Sequence, residues 1–87
     1  MHAIDEQQLN EYASSNVITL IKIKEVADNH FSLLVTLSWR EGDCILTSAR
    51  KSPRVWASLN TMAKYLKGIN GAALPVQLYL LPPEEIP

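Results

Sequence analysis

The chain is poor in the residues from which metal cages, covalent staples and phosphate loops are built. It has a single cysteine, Cys44, and two histidines, His2 and His30. These are too few for a disulfide or a Cys/His metal cage. The three glycines, Gly42, Gly68 and Gly71, form neither G-x-G-x-x-G nor G-K-[ST], so no nucleotide-phosphate loop is encoded. No apolar run approaches the roughly 20 residues that span a bilayer. An excess of one charge is also missing. Eight Lys and Arg against nine Asp and Glu leave a net charge of −1, which points toward neither nucleic acid nor a membrane surface.

These absences set the chemical expectation. Asp and Glu fall in turns and tails, and no pair is placed to converge in a buried site. Cys44 has no motif tying a histidine to it and reads as a small, semi-buried apolar residue. The chain is therefore expected to have no catalytic residues, no metal site and no cofactor. The opening Met1-His2-Ala3-Ile4-Asp5-Glu6 has neither the basic nor the apolar region of a secretory signal. With a lone thiol, this suggests a reducing, cytoplasmic setting.

What is present is a globular composition. Of 87 residues, 47% are apolar and 20% charged, as in one small domain with a modest core. Residues 1–15 read either as a short amphipathic helix, with Ile4, Leu9, Tyr12 and Ala13 as its apolar side, or as a disordered end. Ser14-Ser15-Asn16 would stop such a helix. Residues 16–81 read as a single α+β domain and 82–87 as an extended tail, where Pro82, Pro83 and Pro87 block regular structure.

Within the domain, Val17 to Val26 is β-branched and alternates imperfectly, as a strand does. Ala27-Asp28-Asn29-His30 supplies a tight turn. Phe31, Leu33, Val35, Leu37 and Trp39 then recur at period two, the clearest strand signal in the chain. Arg40-Glu41-Gly42-Asp43 is a second turn, with Gly42 suited to the left-handed position. Cys44 to Ala49 is a third strand, and Pro53 breaks the run that follows. Ser58 can cap a helix whose apolar stripe is Leu59, Met62, Ala63, Leu66 and Ile69, ending at Gly68 or Gly71. Val76, Leu78 and Leu80 mark a final strand.

The expected order is (α)-β-β-β-α-β. An antiparallel three-stranded meander is joined by a fourth strand, parallel to the first or the third, and one main helix covers one face. If Ile21 and Ile23 face the helix, the reverse face carries Ile18, Leu20, Lys22, Lys24 and Leu34. That half-apolar surface is a candidate interaction face, open to the N-terminal helix or to a second copy.

Charge is unevenly laid out. All eight basic residues lie between Lys22 and Lys67, and five of the nine acids are near the ends. Arg50-Lys51-Ser52-Pro53-Arg54, followed by Trp56 and a helix start, has the ingredients of an anion or nucleic-acid contact, with Lys64 and Lys67 next along the helix. The competing reading is a solvated connector with Trp56 packed on the edge of the core.

The stretch SARKSPRVWASLNTMAKYLKGI, flanked by strands from Phe31 to Leu80, resembles small partition-associated and accessory proteins of plasmids and integrative conjugative elements. The likeness rests on Arg50, Lys51, Pro53, Arg54, Trp56, Ser58, Leu59, Ala63 and Leu66 and covers just over half the chain. It implies a role in mobile-element maintenance without catalytic residues. The helix and strand order also resembles double-stranded-RNA-binding domains, but the lysine-rich opening of their second helix is missing from Ala57-Ser58-Leu59-Asn60-Thr61. The expectation is a non-enzymatic accessory protein whose partner is another protein or a second copy of itself. The alternative is a nucleic-acid-binding module using residues 50–54 and the following helix.

Overall fold

A computed structural model describes residues 2–69 and 74–82. Gly71 and the tail beyond Pro82 lie outside the described residues. The fold is α+β, with strands β1 (His2–Ile4), β2 (Ile18–Ala27), β3 (His30–Leu37), β4 (Asp43–Leu46), β5 (Val55–Trp56) and β6 (Val76–Tyr79), and helices α1 (Glu6–Ser14) and α2 (Leu59–Gly68). The sheet runs β1-β4-β3-β2-β6, with β5 beside β4 on the same flank of β3. β2, β3 and β4 form the antiparallel meander. β6 lies parallel to β2, placing the final strand against the first strand of the meander.

The N-terminal segment is structured. Asp5 caps α1 through a reciprocal box in which its carboxylate accepts from Gln8 N–H (2.8 Å) and Gln8 Oε1 accepts from Asp5 N–H (3.0 Å). The helix stops at Ser14–Ser15, where Asn16 turns the chain with φ 57°. Ser58 caps α2 by accepting from Thr61 N–H.

The period-two stripe of β3 is the centre of the core. Phe31, Leu33, Val35 and Leu37 are all buried and pack in one cluster with Ile4, Ile21, Ile23, Cys44, Leu46 and Trp56. Leu9 and Ala13 of α1 and Met62 and Leu66 of α2 join the same cluster, so both helices cover one face. Each of these large side chains contributes on the order of 1.5–3 kcal/mol by leaving water.

Several expectations shift. Trp39 leaves the stripe, because β3 ends at Leu37; the indole is 54% exposed and packs edge-on against Tyr12. Leu59 and Ala63 are exposed, and the buried side of α2 is Met62 and Leu66, with Tyr65 and Ile69 packed beside them. Of the residues in the first turn only Asn29 takes positive φ (57°), where a type I′ turn needs two; a register shift between Glu25 and Ala27 takes up the twist. Gly42 occupies the left-handed position at φ 82°. The third strand is shorter than expected. After Leu46 the chain makes a tight excursion held by Thr47 pairing with Pro53 and by Ser48 N–H donating to Ser52 O (2.8 Å). It then rejoins β3 as β5.

Candidate interaction surface

The reverse face of the sheet and its β6 edge are surfaces that no described element covers. On the reverse face the register sets Lys22 beside Leu34, and Leu34 beside Ile45, with Asp43 opposite Thr36. Lys22 Nζ reaches diagonally across Leu34 to donate to Asp43 Oδ2 (2.8 Å), and Thr36 Oγ1 donates to Asp43 Oδ1 (2.9 Å). The hydrogen bond from Lys22 holds the Asp43 carboxyl below the usual carboxylate range, and the same bond raises the Lys22 ammonium. Both side chains remain about one-quarter exposed (25% and 24%), so the pair is partly screened by water. Leu34 is only 4% exposed, yet it is not part of the main core cluster. It is shielded by side chains, including the Lys22 stem, rather than by a helix. Lys22, Lys24, Leu34, Asp43 and Tyr79 line a shallow hollow of about 250 Å³ there.

Of the five residues expected on this face, Leu20, Lys22, Lys24 and Leu34 lie on it and Ile18 does not. A bulge between Ile18 and Leu20 leaves Thr19 unpaired and reverses the alternation. Ile18 therefore faces the helices beside Leu37 and is 4% exposed. The N-terminal helix does not dock on the reverse face either, since its buried residues belong to the opposite layer.

The period-two spacing of Val76, Leu78 and Leu80 marks a strand but not its place at the edge of the sheet. Every residue of β6 is exposed. Val76, Leu78, Tyr79, Leu80 and Leu81 are between 44% and 62% exposed, and residues 74–82 contain no charge. The signal in the sequence was that uncharged run at the end of the strand order. Glu25 ties this strand down: its carboxylate accepts from Leu81 N–H (2.9 Å) and from Asn29 N–H (3.1 Å).

The basic connector is divided. Arg54 donates to Glu6 (2.8 Å), and its guanidinium lies over the rings of Trp56 (4.7 Å) and Tyr65 (4.8 Å). Trp56 is 6% exposed and belongs to the core, so its ring is not presented to a base. Burial pushes the Tyr65 hydroxyl above its ordinary value. Arg50 and Lys51 stand exposed at the tip of the excursion, and Lys64 and Lys67 are exposed on α2. Cys44 is fully buried. Among the described residues there is no cluster of His, Cys, Asp or Glu suited to a metal, and no helix long and apolar enough to cross a membrane. No family model and no curated protein gives a significant match to this chain.

Proposed function

We propose that this chain is a non-enzymatic interaction module, an accessory protein that works by binding protein along the β6 edge of its sheet. The observation that carries the reading is the exposed, uncharged strand β6, with Val76 and Leu78 on one side, at an edge that no described element pairs. Edge strands offer a row of free backbone donors and acceptors, and proteins ordinarily blunt them with charge or cover. Strand addition at such an edge draws affinity from the backbone and specificity from alternate side chains. The resemblance to accessory proteins of mobile elements fits this reading.

A photo-crosslinking residue tests it. Placed at Leu80 in cells that carry the natural gene, it yields a discrete protein adduct; placed at Asn10, on the exposed side of α1, it yields none. No adduct at position 80, or equal adducts at both, overturns the reading. The nucleic-acid alternative would draw on Arg50, Lys51, Lys64 and Lys67, since Arg54 and Trp56 are engaged internally. Its signature is duplex binding that weakens steeply with salt.

A further inference from the structure

We infer that the occupant of the β6 edge is a second copy of this chain, with β6 pairing antiparallel to β6 about a two-fold axis at Leu78. This rests on the reading of β6 as an interaction edge and names its partner.

The backbone parity selects the register. Ile21 N–H donates to Pro75 O (3.0 Å), and Val76 stands opposite Ile21 in the parallel ladder. Alternation then turns the amide and carbonyl of Gln77 and Tyr79 toward β2 and those of Val76 and Leu78 outward. The parity continues beyond the strand, because Leu81 N–H is taken inward by Glu25, which leaves Leu80 on the outward side. Pro75 has the inward parity, so its missing N–H costs the outer edge nothing. Pro82 has the outward parity and ends the pairing.

Outward-facing residues form the hydrogen-bonded pairs of an antiparallel ladder. Centring the axis on Leu78 sets Leu78 against Leu78 and Val76 against Leu80 of the second copy. Gln77 then faces Tyr79.

Side-chain chemistry fits that self-pairing. Val76 and Leu78 stand beside Ile21 and Ile23 and share the core face, yet each is 46% exposed because the core layer stops at this edge. A second copy continues the layer: aliphatic meets aliphatic across the axis, while on the reverse face Tyr79 O–H donates to Gln77 Oε1 within each chain and brings no charge to the seam. A two-fold contact also sets each segment against itself, so a charge near the centre would meet its own kind. Residues 74–82 contain none.

The test is sedimentation velocity of the purified full chain from about 1 to about 300 µM, with the folded state followed by circular dichroism. The wild type should dimerise. Leu78→Lys sets two ammonium groups together on the axis and should weaken the dimer at least about ten-fold while leaving the fold intact. Leu78→Cys should cross-link to a dimer under oxidation, and Leu59→Cys, at an exposed position on α2, should not. A monomer at every concentration overturns the inference, as does a dimer that Leu78→Lys leaves unchanged. A monomeric chain that still cross-links to a different protein from position 80 overturns only the self-pairing and keeps the interaction edge.

Discussion

Leu33 and Leu34 are neighbours in β3 whose side chains leave on opposite faces of the sheet, so truncating each in turn measures how differently the two faces are covered. Both are almost fully buried, at 1% and 4% exposure. Leu33 lies in the main cluster beneath α1 and α2. Its surroundings are held from both layers and cannot close over a gap, so Leu33→Ala should cost about 4 kcal/mol, toward the upper end for such a change. Leu34 is roofed by the Lys22 stem and flanked by Ile45 and Tyr79. Those side chains can settle into the space or admit water, and Leu34→Ala should cost about 2 kcal/mol.

The gap of about 2 kcal/mol corresponds to a difference of roughly 8–16 °C in Tm for a domain of this size. Total stability for 87 residues is on the order of 4–13 kcal/mol, so Leu34→Ala stays folded across that range and Leu33→Ala stays folded above its lower end. Urea unfolding followed by the fluorescence of the buried Trp56 is the assay, run at low protein concentration so that association does not add to the apparent stability. Equal losses at the two positions would refute the reasoning, because they would mean that the reverse face is packed as firmly as the core.

Arg54→Ala should cost about 1 kcal/mol, most of it from stacking on Trp56 and Tyr65. Most of that loss should persist in about 1 M salt, where the half-exposed pair with Glu6 is screened; a salt-abolished effect in thermal melts would contradict it. Asp43 has a lowered folded-state pKa from an ordinary 3.8, so its contribution is complete above that value and is lost as pH falls through the folded value. The stability difference between wild type and Asp43→Asn should therefore be constant near neutrality and shrink below about pH 4, read from urea midpoints across pH. Lys51 sits at φ 62°, where a non-glycine residue is strained by about 1 kcal/mol. Lys51→Gly should leave stability within about 0.5 kcal/mol of wild type or raise it, since the gain is offset by the freer unfolded chain; a fall of more than about 1 kcal/mol refutes this.

The elements legible in the sequence are those whose signal is local. The β3 stripe, the turn at Gly42, the Ser58 cap and the final strand all follow from side-chain periodicity or one residue's backbone preference. β1 and β5 were not legible. They have three and two residues, too few to show alternation, and exist because β4 and β3 offer them a ladder. Alternation alone puts Ile18 on the wrong face because a single unpaired residue, Thr19, reverses it, and nothing in the identity of Thr19 announces a bulge. Trp39 continued the period of β3 in sequence but lies past its end, where the chain has begun to turn. At the candidate site, Leu20, Lys22, Lys24 and Leu34 were readable from alternation once Ile21 and Ile23 were assigned to the core. The β6 edge was not, because exposure of a strand depends on its place in the sheet order, which is set by the crossover through α2.

If β6 pairs with a second copy, the two edges of the sheet would limit that pairing to two copies. An exposed apolar edge in a lone chain is an aggregation hazard, and the usual remedies are charge, a bulge or a very short strand. β1, at one end of the order, is a three-residue strand and offers little ladder to a newcomer. β6, at the other end, has no charge, and its prolines sit only where the pairing window begins and ends. A head-to-tail contact between β6 of one copy and β1 of the next would propagate into a fibre; β1 would offer it three residues, against the run from Val76 to Leu80 on both sides of a two-fold contact. A two-fold contact would use the β6 edge of each copy and leave the three-residue β1 strands outermost among the described elements. In such a dimer the β1 edge would favour closure over propagation, and the β6 edge would supply the free energy of pairing.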